Sequence, residues 1–263
     1  MNILDKIIEH KVDEVAARKK KVSVGDLEKT AGFSRKTLSL KQFLNDESKT
    51  GIIAEFKRKS PSKGIINDKV DVVTITNAYT KYGASGLSVL TDEEFFGGTT
   101  NDLVKARVNE VPILRKDFMI DEYQITEARS MGADVILLIA ACLSPQRVKD
   151  LAVFAKTLQL EVLLEIHNEE ELQHICAEVD IVGVNNRDLK TFKVDINRSI
   201  ELSRQIPADK IKIAESGIHD IETILIFKEA GFKGFLIGEN FMKNEDPTVA
   251  FAAFAEALKT KLA

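Results

Sequence analysis

Ile52-Ile53-Ala54-Glu55-Phe56-Lys57-Arg58-Lys59-Ser60-Pro61-Ser62-Lys63-Gly64 is an apolar run that turns charged at its end and passes into a basic loop broken by proline and glycine. Such a run reads as a buried strand followed by a turn. Apolar side chains anchor the strand, and a charged group survives only at its open end, where water or a ligand can pair with it. Glu55 and Lys57 are therefore candidates for chemistry, although a solvated loop after an ordinary strand fits the same residues. The rest of the chain decides between these readings.

From Ile52 onward the same unit recurs. Runs rich in Val, Ile and Leu begin near Ile52, Gly86, Pro112, Asp134, Glu161, Ile181, Ile211 and Gly234. Most are continuous rather than alternating, as expected of parallel strands covered on both faces. Between them, 3.6-residue patterns predict helices over 70–82, 121–131, 145–158, 168–178, 196–205 and 220–230. Gly83, Gly132 and Gly231 stand where helices should stop, at positions that favour a left-handed backbone. Eight such units favour a closed (β/α)8 TIM barrel of class α/β over an open sheet, and no glycine-rich dinucleotide fingerprint opens the first unit. Residues 1–50 read as an N-terminal helical extension, and the whole of 1–263 as one domain. Over 2–17, Ile3, Leu4, Ile7, Ile8, Val12 and Val15 recur at helical spacing, and the cations Arg18 to Lys21 read as a solvated face at the helix end. Phe33, Leu38, Leu40, Phe43 and Leu44 carry a second, weaker pattern.

Composition narrows the possible partners. The 263 residues are 44% apolar and 30% charged, an ordinary globular balance. A total of 37 Lys and Arg against 41 Asp and Glu leaves a net charge of −4, which argues against nucleic acid or a polybasic membrane contact. Cys142 and Cys176 lie in apolar surroundings without paired-ligand spacing, so buried free thiols and a reducing compartment are expected. His10 falls in the first helix, His167 just past Glu165, and His174 and His219 in predicted helices; none has ligand spacing, and no metal is expected. No charged leader with an apolar core opens the sequence, and the run Val135 to Leu143 is well short of the about 20 residues a bilayer span needs. A soluble cytoplasmic protein is expected.

In a (β/α)8 barrel the active site lies at the C-terminal ends of the strands. Those ends carry Glu55 and Lys57 on strand one, Lys116 on strand three, Glu165 on strand five, Asn185 and Arg187 on strand six, and Glu215 and Ser216 on strand seven. Six ionisable groups converging from five strands exceed what stabilising salt bridges require. Ala214-Glu215-Ser216-Gly217-Ile218 and Ile237-Gly238-Glu239-Asn240 each put a glycine between a strand and a helix start. Free backbone N–H groups there form an anion site, so a phosphorylated small molecule is the expected substrate.

These residues resemble the motifs of the indole-3-glycerol phosphate synthase family. The run Ile53 to Ser62 is similar to its opening motif. Further similar stretches follow in the family's order: Leu87 to Asp92 with Phe96-Gly97-Gly98, Ile113 to Phe118, Gly132-Ala133-Asp134, Leu164 to His167, Val184 to Leu189, and Ala214 to Ile218. The resemblance spans essentially the whole chain and implies a carboxy-lyase of tryptophan biosynthesis. Such an enzyme closes the indole ring of 1-(2-carboxyphenylamino)-1-deoxyribulose 5-phosphate, releasing carbon dioxide and water without metal or organic cofactor.

By the same resemblance Lys116 is the general acid for ring closure; ringed by other cations and partly desolvated, it would have its pKa drawn toward neutrality. Glu165 would serve the dehydration, Glu55 would orient lysines and substrate hydroxyls, and Lys57 would meet the substrate's anionic groups. Asn185 and Arg187 would position the substrate and Glu215 would hydrogen-bond its hydroxyls. Ser60, Ser216, Gly217, Gly238 and Glu239 would hold phosphate, and Phe96 and Phe118 would wall the anthranilate ring. Many family members have serine where Glu239 stands, so only its backbone N–H is expected to meet phosphate, with the carboxylate facing solvent. A monomer or weak homodimer is expected. Two alternatives stay open. A phosphoribosylanthranilate isomerase barrel would be expected to carry cysteine at the end of strand one, where Glu55 stands. A non-catalytic phosphosugar-binding barrel would have no use for an acid and base such as Lys116 and Glu165.

Overall fold

A computed structural model describes residues 3–188 and 193–262. Strands β1 (Ile52–Phe56), β2 (Gly86–Leu90), β3 (Ile113–Lys116), β4 (Val135–Ile139), β5 (Glu161–Ile166), β6 (Ile181–Asn185), β7 (Ile211–Glu215) and β8 (Gly234–Ile237) each pair in parallel with the next. β8 returns to β1 through Ile52 opposite Phe235 and Ala54 opposite Ile237, so the sheet closes into the expected barrel. Every strand begins within one residue of the position expected from its apolar run.

Successive side chains of a strand face opposite ways. Ile52, Ala54 and Phe56 pack outward with Val162 and Leu164 against the helical layer. Ile53, Leu114, Leu137, Leu163, Ile213 and Leu236 fill the barrel interior. Burial on both faces is what allows the strands to be apolar throughout.

Helices Val72–Lys81, Glu122–Ser130, Pro145–Thr157, Ile196–Ser203 and Ile221–Glu229 fall within two residues of the expected ranges. Gly83, Gly132 and Gly231 have φ of 99°, 87° and 84°, the left-handed turns anticipated at the helix ends. Segment 168–178 departs from expectation, giving only a 3-10 helix over Glu169–His174. The Glu171 carbonyl, which an α-helix would offer to the Ile175 N–H, accepts from the His174 ring, and Ile175 bonds Leu172 instead. His219 lies in the loop before Ile221–Glu229, outside any helix. Cys142 and Cys176 are free but only half-buried. Among the described residues no helix is long and apolar enough to cross a membrane.

The N-terminal extension touches both ends of the barrel. Helix α1 (Ile3–Lys21) runs four residues past its expected end, and its buried face is Ile7, Lys11 and Val15, while Val12 is 54% exposed. The basic run is not purely solvated, because Arg18 lies 3.0 Å from Glu127 and Lys19 lies 2.7 Å from Asp121. Three short helices follow, Val24–Leu27, Ala31–Ser34 and Leu40–Leu44. Leu40 and Leu44 plug the bottom of the barrel: a Cβ at Gly86 would come 2.8 Å from Leu40, and one at Gly234 2.9 Å from Leu44.

Candidate active site

Strand alternation builds the mouth directly. Because Ile53, Leu114, Leu163 and Ile213 point into the barrel, Glu55, Lys116, Glu165 and Glu215, two residues further on, point the same way one layer higher. Asn185 takes the equivalent place on β6. With Lys57, Ser60, Arg187, Phe96 and Phe118 they line a cavity of about 180 Å³. Glycines on neighbouring strands make room for the carboxylates. A side chain at Gly183 would collide with the Glu215 carboxylate, and a Cβ at Gly238 would lie 2.7 Å from that of Glu55.

The ion pairs are specific. Lys57 Nζ lies 2.6 Å from Glu55 Oε1, and Lys116 Nζ lies 2.9 Å from Glu165 Oε2 and 3.5 Å from Glu215 Oε2. Asn185 Nδ2 donates to Glu165 Oε1 at 3.0 Å, and His167 Nε2 approaches the same oxygen at 3.2 Å. All three carboxylates are 3% exposed or less, so each needs a partner to stay charged. Burial acts against the charge of Glu165, but Lys116, His167 and Asn185 overcome it and hold its pKa well below the usual range. Glu215 has the more distant share of Lys116, and its Oε1 has no hydrogen-bond partner among the described residues. Burial, aided by the neighbouring Glu165 and Glu55, pushes its pKa up to about 8, so it keeps a proton at neutral pH.

Lys116 reverses the expectation that its pKa moves toward neutrality. Burial alone would lower it, but the ring around it consists of carboxylates rather than cations, and Glu165, Glu55 and, once ionised, Glu215 raise it above the ordinary lysine value. The cations that could have acted on it are engaged elsewhere. Lys57 is on Glu55, and Arg58 pairs with Asp102 at 2.6 Å and stacks over Phe56.

After β7 the backbone turns left-handed at Ser216 (φ 68°) and Gly217 (φ 70°), and Asn186 holds the turn by donating to the Ser216 carbonyl at 2.7 Å. A side chain at position 217 would collide with Val194. Ser216, Gly217, Gly238 and Glu239 line a second hollow of about 60 Å³, which shares Glu55, Lys57 and Arg187 with the first. Glu239 departs from expectation. Its carboxylate does not simply face solvent but lies 3.7 Å from Arg187 and 3.9 Å from Lys63. In the loop after β1, Lys59–Ser60 pairs antiparallel with Gly64–Ile65, and Ser60, Pro61 and Ser62 face the cavity. Leu189, the last residue of the strand-six motif, lies outside the described residues.

Phe96 and Phe118 stand 6.1 Å apart, ring to ring, on the cavity wall. The loops that carry them are tied to α1 by a residue that sequence reasoning missed. Lys11, 1% exposed, lies 2.9 Å from both Asp92, which caps the short helix bearing Phe96, and Asp117, which precedes Phe118. Ile3, Leu4 and Ile7 of the same helix complete the wall. The signal was present in the sequence, since Lys11 sits four residues from both Ile7 and Val15 on the apolar face. His167 has no ligand spacing in the sequence, and its one legible signal is its place two residues after Glu165 at the end of β5.

Fold and site together define a (β/α)8 barrel with an acid–base centre at its C-terminal mouth. Residues 4–254 match the sequence profile of a family described as indole-3-glycerol phosphate synthase. The chain is 46% identical over 259 residues to the indole-3-glycerol phosphate synthase of Bacteroides thetaiotaomicron, covering 98% of this chain and 99% of the relative. It is 43% identical to that of Acinetobacter baumannii, covering 95% and 94%. The chain belongs to the indole-3-glycerol phosphate synthase family. Similar solved structures include a 3-hexulose-6-phosphate synthase (TM-score 0.63, 15% identity, covering 81% of this chain and 99% of that one). Another is the tryptophan synthase α subunit of Legionella pneumophila (TM-score 0.62, 14% identity, 84% and 97%). At such identity these share the fold alone.

Proposed function

We propose that the mouth carries out the family reaction of tryptophan biosynthesis, converting 1-(2-carboxyphenylamino)-1-deoxyribulose 5-phosphate to indole-3-glycerol phosphate, with the following division of labour. The aromatic carbon bearing the carboxylate attacks the ribulose carbonyl carbon, and Lys116 gives a proton to the carbonyl oxygen as the new bond forms. Carbon dioxide then leaves and restores the ring electrons. In the dehydration a hydroxyl departs with a proton from an acid, the role given to Lys57, while Glu165 accepts a proton from the new ring. The observation that carries this is Lys116 set between Glu165 and Glu215 above the apolar layer of the barrel, beside the Phe96 and Phe118 wall.

Glu55 fixes Lys57, and protonated Glu215 donates to substrate hydroxyls through the oxygen that has no partner among the described residues. Asn185 and Arg187 position the substrate. Ser60, Ser216, Gly217, Gly238 and the Glu239 backbone hold its phosphate. Residues 1–263 act as one domain in which the extension over 1–50 is a working part, supported by the contacts of α1 with the mouth and of Leu40 and Leu44 with the barrel floor. A monomer or weak homodimer in the cytoplasm remains the expectation, and the two free cysteines suit a reducing compartment.

The chain contains no tryptophan, so indole fluorescence that grows on mixing with the substrate reports product. The expected result is a rise that saturates with substrate concentration. Binding of the substrate with no such rise would overturn the assignment.

A further inference from the structure

His167, one residue past β5, has no part in the proton transfers above, yet its ring is 9% exposed and stands between two carboxylates. Nδ1 hydrogen-bonds Glu171 Oε2 at 3.2 Å, and Nε2 lies 3.2 Å from Glu165 Oε1 as an ion-pair contact without hydrogen-bond geometry. Glu171 is itself fixed, because its Oε2 accepts from the His167 backbone N–H at 2.7 Å and its Oε1 accepts from Asn168 Nδ2 at 2.9 Å. A neutral imidazole has one donor and one acceptor nitrogen, whereas an ionised carboxylate only accepts. A carboxylate within 3.2 Å of each ring nitrogen would face a lone pair on a neutral ring, and so favours a ring that carries both protons. We propose that His167 is a positioning residue whose imidazolium, braced by Glu171, clamps Glu165 in its ionised form and turns it into the mouth.

The surroundings support this. Burial would lower the His167 pKa, but Glu165 and Glu171 outweigh it and raise the value to about 10. The other charged groups facing Glu165 are Lys116 on β3, Glu215 on β7 and Glu55 on β1. Cys142, past β4, is pushed up to about 12 by burial and stays a neutral thiol. The His174 ring is turned to the backbone carbonyls of Glu171 and Leu143. Lys116 alone must already serve both Glu165 and Glu215, so the second cation on Glu165 lets it stay ionised while the lysine proton is given away.

The clamp rests on the assignment of Glu165 as the dehydration carboxylate, and two readouts separate the claims. The chain has four histidines, so selective ¹⁵N-histidine labelling can resolve each ring. Both nitrogens of His167 should stay protonated from pH 6 to beyond pH 8; a midpoint near the ordinary 6.5 overturns the clamp. In kinetics, His167→Gln should move the acid limb of the kcat profile up by about 1 to 3 on the pH scale, the weight of one nearby opposite charge. Glu171→Gln, which leaves the ring intact, should move it the same way by less and serves where the first variant does not fold. An unmoved limb with equal loss of rate at every pH overturns the proposal in favour of a packing role. Absence of wild-type turnover would fall instead on the assignment of Glu165.

Discussion

Arg115 and Lys116 are adjacent on β3, and alternation sends them to opposite faces of the same sheet. Arg115, fully buried outside the barrel, donates to Thr91, the Gln124 carbonyl and Asp117, and lies 2.7 Å from Glu127. In its cluster Asp92, Asp117, Glu127 and Glu14 each have a cation within 3.0 Å. Lys116, at the mouth, is shared unequally, leaving Glu215 at 3.5 Å with one oxygen unpartnered. Both clusters hold buried charge, which is a weak source of stability in itself. The difference lies in what remains unspent. In the outer cluster every carboxylate has a cation within 3.0 Å, whereas the mouth leaves Glu215 with only a more distant one and so with a proton that a substrate can use.

Substitution should separate the two. Lys116→Met should lower kcat by about 10²–10⁴-fold in the folded protein, the usual weight of a positioned acid. A loss below tenfold would remove Lys116 from that role. Arg115→Met should do the reverse, costing about 3–5 kcal/mol of stability by leaving Asp117 and Glu127 short of a cation, while molecules that remain folded keep most of their turnover. A stable but inactive variant would place Arg115 in the site. The smallest effect is expected at Ser216. Losing one phosphate hydrogen bond of about 0.5–1.5 kcal/mol in Ser216→Ala should raise KM several-fold and leave kcat nearly unchanged. Equal change in both would mean that the contact forms only in the transition state.

The sequence made the barrel legible because parallel strands covered on both faces must be apolar throughout, and runs such as Ile52-Ile53-Ala54 and Val135 to Ile139 have no other economical home. Helices Thr100–Ala106 and Pro247–Leu262 escaped the pattern search, although the first carries a readable capping box between Thr99 and Asp102. The residues at the strand ends were also legible, since position along a strand decides height in the barrel. What they face was not. The carboxylates around Lys116 come from β1, β5 and β7, and the cations expected there pair with Glu55, Asp102 and Glu239, contacts that only the closed sheet reveals. Lys11 was hidden for a related reason, since a lysine on an apolar helical face becomes intelligible only when Asp92 and Asp117 are brought to it.

The unspent proton on Glu215 gives the most direct test of this contrast. A carboxyl whose folded pKa is raised from 4.5 to about 8 binds its proton more tightly in the folded than in the unfolded chain. Its contribution to stability is then fully present below about pH 4.5, declines as pH rises and is lost by about pH 8. Glu215→Gln imitates the protonated form at every pH. The measurement is the stability of the wild type relative to Glu215→Gln by urea unfolding across pH 5 to 9. The predicted result is a wild type that loses ground to the variant as pH rises; a difference that stays level from pH 5 to 9 would mean that Lys116 already holds Glu215 ionised and that the mouth is as closed as the cluster around Arg115.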